Sequence, residues 1–121
     1  MTAVPVLVLL SAAVALGAYL LLLYVRGVRK PVVIGFHLLL GVGALEQMAL
    51  LLHGTPNGDA ARLGIVPAAA IIAVSLMTAL IGALFARTSR RTAEVFLAAH
   101  VTLGTAGFLV FLVWVWNWRG T

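Results

Sequence analysis

Two histidines stand in apolar surroundings where a polar ring needs a reason to be. They are His37, in His37-Leu-Leu-Leu-Gly41, and His100, in His100-Val-Thr-Leu-Gly104, and both stretches read His-x-x-Leu-Gly. Two imidazoles brought to one depth among helices can ligate a flat iron porphyrin from its two faces. On a helix, the glycine four residues on lies about 40° round the same face. Its missing side chain would let a macrocycle lie against the backbone, and Gly43 and Gly107 are close by. A second candidate is the pair Glu46 and His53, seven apart on one face with Gln47 beside them. That stripe could carry a proton or hydrogen-bond a quinone head group. Glu46 is nine residues past His37, so it points roughly the other way and lies about 13 Å deeper. It belongs to a different site.

Each residue also has a purely structural use. A neutral histidine can hydrogen-bond across helices, and glycines serve close helix packing. A protonated Glu46 could pair with Gln47, Ser75 or Thr78 and fix packing. A bare metal ion fits poorly, because two histidines without cysteine or a carboxylate at their depth leave its coordination incomplete. The chain has no cysteine, which removes disulfides, thiolate sites and thiol nucleophiles.

The elements that must position these residues are membrane spans. Of 121 residues, 64% are hydrophobic and 9% charged, and the mean hydropathy is +1.18. A soluble domain of this size could not cover so much apolar surface. The expected spans are residues 3–25, 31–53, 63–86 and 92–118, each long enough at helical rise to cross a hydrocarbon core. Pro31 suits the first position of the second span. Pro67 lies near the start of the third, Thr92 is placed to cap the fourth, and Glu94 falls in its first turn. Trp114, Trp116 and Trp118 read as an interfacial aromatic belt.

Six of the eight Lys and Arg residues lie in two tight turns, Arg26–Lys30 and Arg87–Arg91. The positive-inside rule puts those turns in the cytoplasm, with both termini and the 54–62 loop on the extracytoplasmic side. The same rule accounts for the net charge of +5 without a nucleic-acid partner. The expected location is the cell (inner or plasma) membrane, as a multi-pass protein.

The halves repeat. Val4-Pro5 recurs as Val66-Pro67, Arg26-x-x-Arg29-Lys30 as Arg87-x-x-Arg90-Arg91, and the histidine pentad as itself, at offsets of 62, 61 and 63. Hydrophobic helices align loosely in any case, but Pro, Arg and His are not supplied freely by spans. The expected architecture is all-α: one transmembrane domain, an integral four-helix bundle of two duplicated hairpins, 1–54 and 63–121. Parallel copies bring His37 and His100 to one depth, about 9–11 Å in from the basic turns.

With His37 and His100 in these positions, the chain resembles the small membrane cytochromes b, four-helix bundles that hold haem between histidines of different spans. The resemblance covers the whole chain as architecture, but in sequence only the two pentads carry it. It implies a haem b with His37 and His100 as iron ligands, cleared by Gly41 and Gly104, and an electron-transferring subunit rather than a catalyst in its own right. Arg26, Arg29, Arg87 or Arg90 could meet the propionates. Many members place two ligand histidines on each ligand helix; here His53 has no partner in the fourth span, which disfavours a second haem. The implied partners are lipid, other subunits of a redox complex or further copies of the chain, and a quinone. Two readings compete: a small proton-coupled transporter using Glu46, and a cofactor-free anchor or assembly subunit.

Overall fold

The computed structural model describes residues 3–53 and 58–119, and side chains outside 58–64 and 118–119. It is all-helical: α1 is Val4–Val25, α2 Pro31–His53, α3 Gly58–Phe85 and α4 Arg90–Arg119. Each contains a stretch long and apolar enough to cross a membrane. Such sequences become helices because, without water, every backbone N–H and C=O must be satisfied inside the segment. The chain divides into two compact units, 1–56 and 57–121. Each unit is a helical hairpin.

In the first hairpin, α1 packs on α2. The turn between them is fixed by Gly27, the one described residue with positive φ, at 72°. Gly27 N–H donates to Tyr24 O at 3.0 Å and Val28 N–H to Leu23 O at 2.9 Å. Those two bonds close the end of α1 in a Schellman motif, where only glycine takes the left-handed conformation without strain. Pro31 then opens α2 as expected, and Ile34 N–H donates to Lys30 O at 3.2 Å.

In the second hairpin, α3 packs on α4. Here the ends depart from expectation. Helix α3 begins at Gly58, so Pro67 lies inside it rather than near its start. The missing N–H interrupts the ladder there, a fault that spans tolerate when neighbours re-satisfy the freed carbonyl. Pro5, its counterpart in the repeat, stands in the first turn of α1, where no bond is lost. Helix α4 begins at Arg90 and its cap is Ser89, not Thr92. The Ser89 hydroxyl oxygen accepts Thr92 N–H at 3.2 Å, and its hydrogen goes to Thr92 Oγ1 at 2.9 Å. Glu94 consequently lies beyond the first turn. It accepts from Arg90 Nε at 3.1 Å, an exposed pair one turn apart that contributes at most about 0.5 kcal/mol.

Close approach of α3 and α4 rests on two glycines. A Cβ on Gly107 would stand 2.6 Å from Ile72 Cγ1, and one on Gly82 would stand 3.0 Å from Phe96 Cβ. Nearby, the rings of Phe85 and Phe96 stack with centroids 6.3 Å apart. Trp116 is 81% exposed. Of the expected 54–62 loop, residues 58–62 belong to α3, and residues 54–57 lie outside the described residues, as do the side chains of Arg62, Trp118 and Arg119.

Candidate functional site

His37 sits on α2 with its ring against α1. Its Nδ1 donates to the backbone carbonyl of Ala13 at 2.8 Å. The carbonyl can only accept, so this bond puts the proton on Nδ1 and the ring lone pair on Nε2. Room for the ring comes from Gly17, one turn past Ala13. A Cβ on Gly17 would stand 2.9 Å from His37 Cε1, tighter than van der Waals contact permits.

His100 repeats the arrangement on α4, against α3. Its Nδ1 lies 2.9 Å from the carbonyl oxygen of Ser75 and 2.9 Å from Ser75 Oγ. The Ser75 hydroxyl donates to the backbone carbonyl of His100 at 2.8 Å. With that hydrogen committed, Oγ and the carbonyl both face Nδ1 as acceptors, and again the proton belongs on Nδ1. Ser75 is buried, so these bonds also satisfy an otherwise costly hydroxyl.

The two contacts are the same contact. Ala13 and Ser75 stand 62 residues apart, His37 and His100 stand 63 apart, and in each hairpin the histidine reaches the carbonyl 24 or 25 residues before it. Ala79 occupies the place of Gly17, four residues after Ser75. A small residue therefore recurs at this level in both hairpins. Ala13 is twelve residues from the end of α1 and Ser75 ten from the end of α3, about 15–18 Å at helical rise. Both bonds lie inside the apolar spans. Counted along its own helix, His37 is six residues, about 9 Å, from Pro31 as expected. His100 is ten residues, about 15 Å, from Arg90, because α4 begins earlier than expected. The equal depth read from the sequence does not hold by this count.

The two pentad glycines differ. A Cβ on Gly41 would meet nothing within 4 Å, so that flank of α2 is open. A Cβ on Gly104 would stand 3.1 Å from Ser75 Oγ. Gly104 therefore clears space for the serine hydroxyl of its own hairpin.

The Glu46 stripe lies in the second half of α2, away from the hairpin turn. Glu46 and His53 are exposed, His53 being the last helical residue, and Gln47 is half-buried. Ser75 and Thr78 have other engagements: Ser75 bonds His100 as above, and Thr78 Oγ1 donates to Ser75 O at 2.6 Å. Among the described residues no three His, Asp or Glu side chains gather as a metal site.

Sequence reasoning missed Ala13, Gly17 and Tyr19, and it gave Ser75 a different role. A carbonyl acceptor leaves no side-chain signature, but the repeat offset that links Ala13 to Ser75 was available. Tyr19 OH accepts from Lys30 Nζ at 3.0 Å, joining a span to the basic turn. No protein-family model, no curated protein and no solved structure matches this chain, so its function is inferred from these residues themselves.

Proposed function

We propose that the chain is a membrane-embedded b-type cytochrome that transfers electrons, with one haem held between His37 and His100. One observation carries this reading: both histidines, at equivalent places in the two hairpins, donate Nδ1–H to a backbone carbonyl of the neighbouring helix. A ligand histidine is ordinarily held in this way. A hydrogen bond from one ring nitrogen fixes the tautomer, orients the ring and makes the other nitrogen a better donor to iron.

The donor set fits the group. Two neutral imidazoles suit a haem iron that needs two axial ligands, whereas a bare ion would need more. The open flank at Gly41 supports close approach of a macrocycle. Haem would supply the one-electron couple, and the chain would hold its iron, orient both imidazoles and keep water away. Arg26, Arg29 and Arg87 are exposed cations at the hairpin turns, suited to propionates, whereas Arg90 is engaged by Glu94. In this reading the turns face the cytoplasm, both termini lie outside, and the chain serves as a subunit of a redox complex or as a homo-oligomer. Quinone or proton traffic at Glu46, Gln47 and His53 is a separate function of the outer half.

A second reading has its own support. The bonds from His37 to Ala13 and from His100 to Ser75 each tie two helices together, as histidines in a cofactor-free anchor subunit would. A visible spectrum of protein purified from haem-replete membranes separates the two. The cytochrome shows a Soret band and a sharp reduced α-band at a stoichiometric haem content; the anchor shows neither.

A further inference from the structure

We propose that the turn of the first hairpin holds a specific anionic phospholipid, whose phosphate is bound by Lys30 and Tyr19. The proposal is independent of haem.

Arg26, Arg29 and Lys30 are all exposed, on a turn whose course is set by the Gly27 motif. Among the described residues no carboxylate pairs with them. The corresponding turn of the second hairpin differs, because there Glu94 takes Arg90. The first turn thus presents cations without a carboxylate of its own, of which Lys30 is the one this site uses, and the second turn serves as an internal control.

Position alone would make this a diffuse basic edge. The Lys30–Tyr19 pair makes it a site. Lys30 Nζ lies 3.0 Å from Tyr19 OH and 5.6 Å from the ring centroid. An ammonium group can only donate, so the phenolic oxygen accepts and the phenolic hydrogen is directed elsewhere. The remaining ammonium hydrogens and that O–H are donors held side by side, matched to the oxygens of one phosphate. Charge-assisted bonds of this kind are the strong ones.

The surroundings select a lipid over a soluble anion. Val25, Val28 and Val32 flank the cations and are 77%, 45% and 71% exposed. An acyl chain would cover them, and free phosphate would not. Lys30 would extend its apolar stem along this surface with its charge at the headgroup level.

The test uses the whole protein in phosphatidylcholine nanodiscs, with spin-labelled phosphatidylglycerol or phosphatidylcholine as probe and the relative association read from the motionally restricted fraction. The native protein should prefer phosphatidylglycerol. Lys30→Gln should reduce that preference about fivefold, the factor that one basic residue contributes at an anionic surface, and Tyr19→Phe should also lower it clearly. Arg91→Gln, in the other turn, should leave it nearly intact. Inorganic phosphate should not displace the labelled lipid beyond what chloride does at equal ionic strength. The proposal is overturned if Tyr19→Phe keeps the full preference or if Arg91→Gln costs as much as Lys30→Gln, since either means diffuse attraction. It is also overturned if phosphate alone displaces the lipid. Both key residues are exposed, and an unchanged helical circular dichroism spectrum shows that the variants remain folded.

Discussion

His100 and Ser75 are joined in both directions: the imidazole donates to the serine backbone carbonyl, and the serine hydroxyl donates to the histidine backbone carbonyl. The equivalent pair in the first hairpin, His37 and Ala13, has the first bond and lacks a hydroxyl for the second. The hairpins share one way of holding a histidine, and the second holds it more firmly.

Ser75→Ala gives the second hairpin the alanine of the first. It removes the hydroxyl's bond to the His100 carbonyl and its role as a second acceptor for Nδ1, and keeps the Ser75 carbonyl acceptor. Unfolding in mixed micelles should show a loss of about 0.6–1.7 kcal/mol, the range for such bonds in membrane proteins, with the helices retained. A cost several times larger would mean that the serine also supports something beyond this pair.

Gly17→Ala places a methyl 2.9 Å from His37 Cε1 and must displace the ring. The same assay should show destabilisation of about 1–3 kcal/mol, as for overpacking. Gly107→Ala, against Ile71 and Ile72, should cost at least as much. Gly35→Ala meets nothing within 4 Å and should stay within about 0.5 kcal/mol of the parent. Gly82→Ala, whose Cβ would stand 3.0 Å from Phe96 Cβ, should also destabilise. Equal stability of the Gly17 and Gly35 variants would contradict the placement of the His37 ring.

Gly41→Leu fills the open flank of α2 one turn from His37. If a macrocycle lies there, the haem-to-protein ratio should fall severalfold while helical content is kept. Undiminished haem content would place the ring elsewhere. Gly104→Leu is a weaker probe, because its first effect falls on Ser75.

Ser89→Ala removes the cap of α4 and should cost about 1 kcal/mol. Thr92→Ala, which keeps the Ser89 oxygen available to the backbone, should cost less. The reverse order would restore Thr92 as the cap.

The spans were readable because long apolar runs bounded by Arg, Pro and polar clusters permit little else. Pro31 and His53 bound α2 as read. The start of α3 was not readable: Gly58 and Pro67 resemble loop and helix-start signals, yet α3 runs through both. Thr92 is a capping type, as is Ser89, and only the position of the first helical turn shows that Ser89 is the residue that caps. The two histidines announced themselves as polar groups in apolar helices. Their partners did not, since Ala13 offers a backbone carbonyl and Gly17 an absence. Gly104 was read as room for a cofactor when its nearest neighbour is a serine hydroxyl.

The most direct test of the central claim is the reduced-minus-oxidised visible spectrum of the purified protein and of its His37→Ala, His100→Ala and His53→Ala variants, each normalised to protein. Haem held between His37 and His100 gives a bis-histidine haem b spectrum that survives His53→Ala and disappears in both His37→Ala and His100→Ala. A native protein without haem from haem-replete cells, or one whose spectrum is lost only with His53, would contradict it.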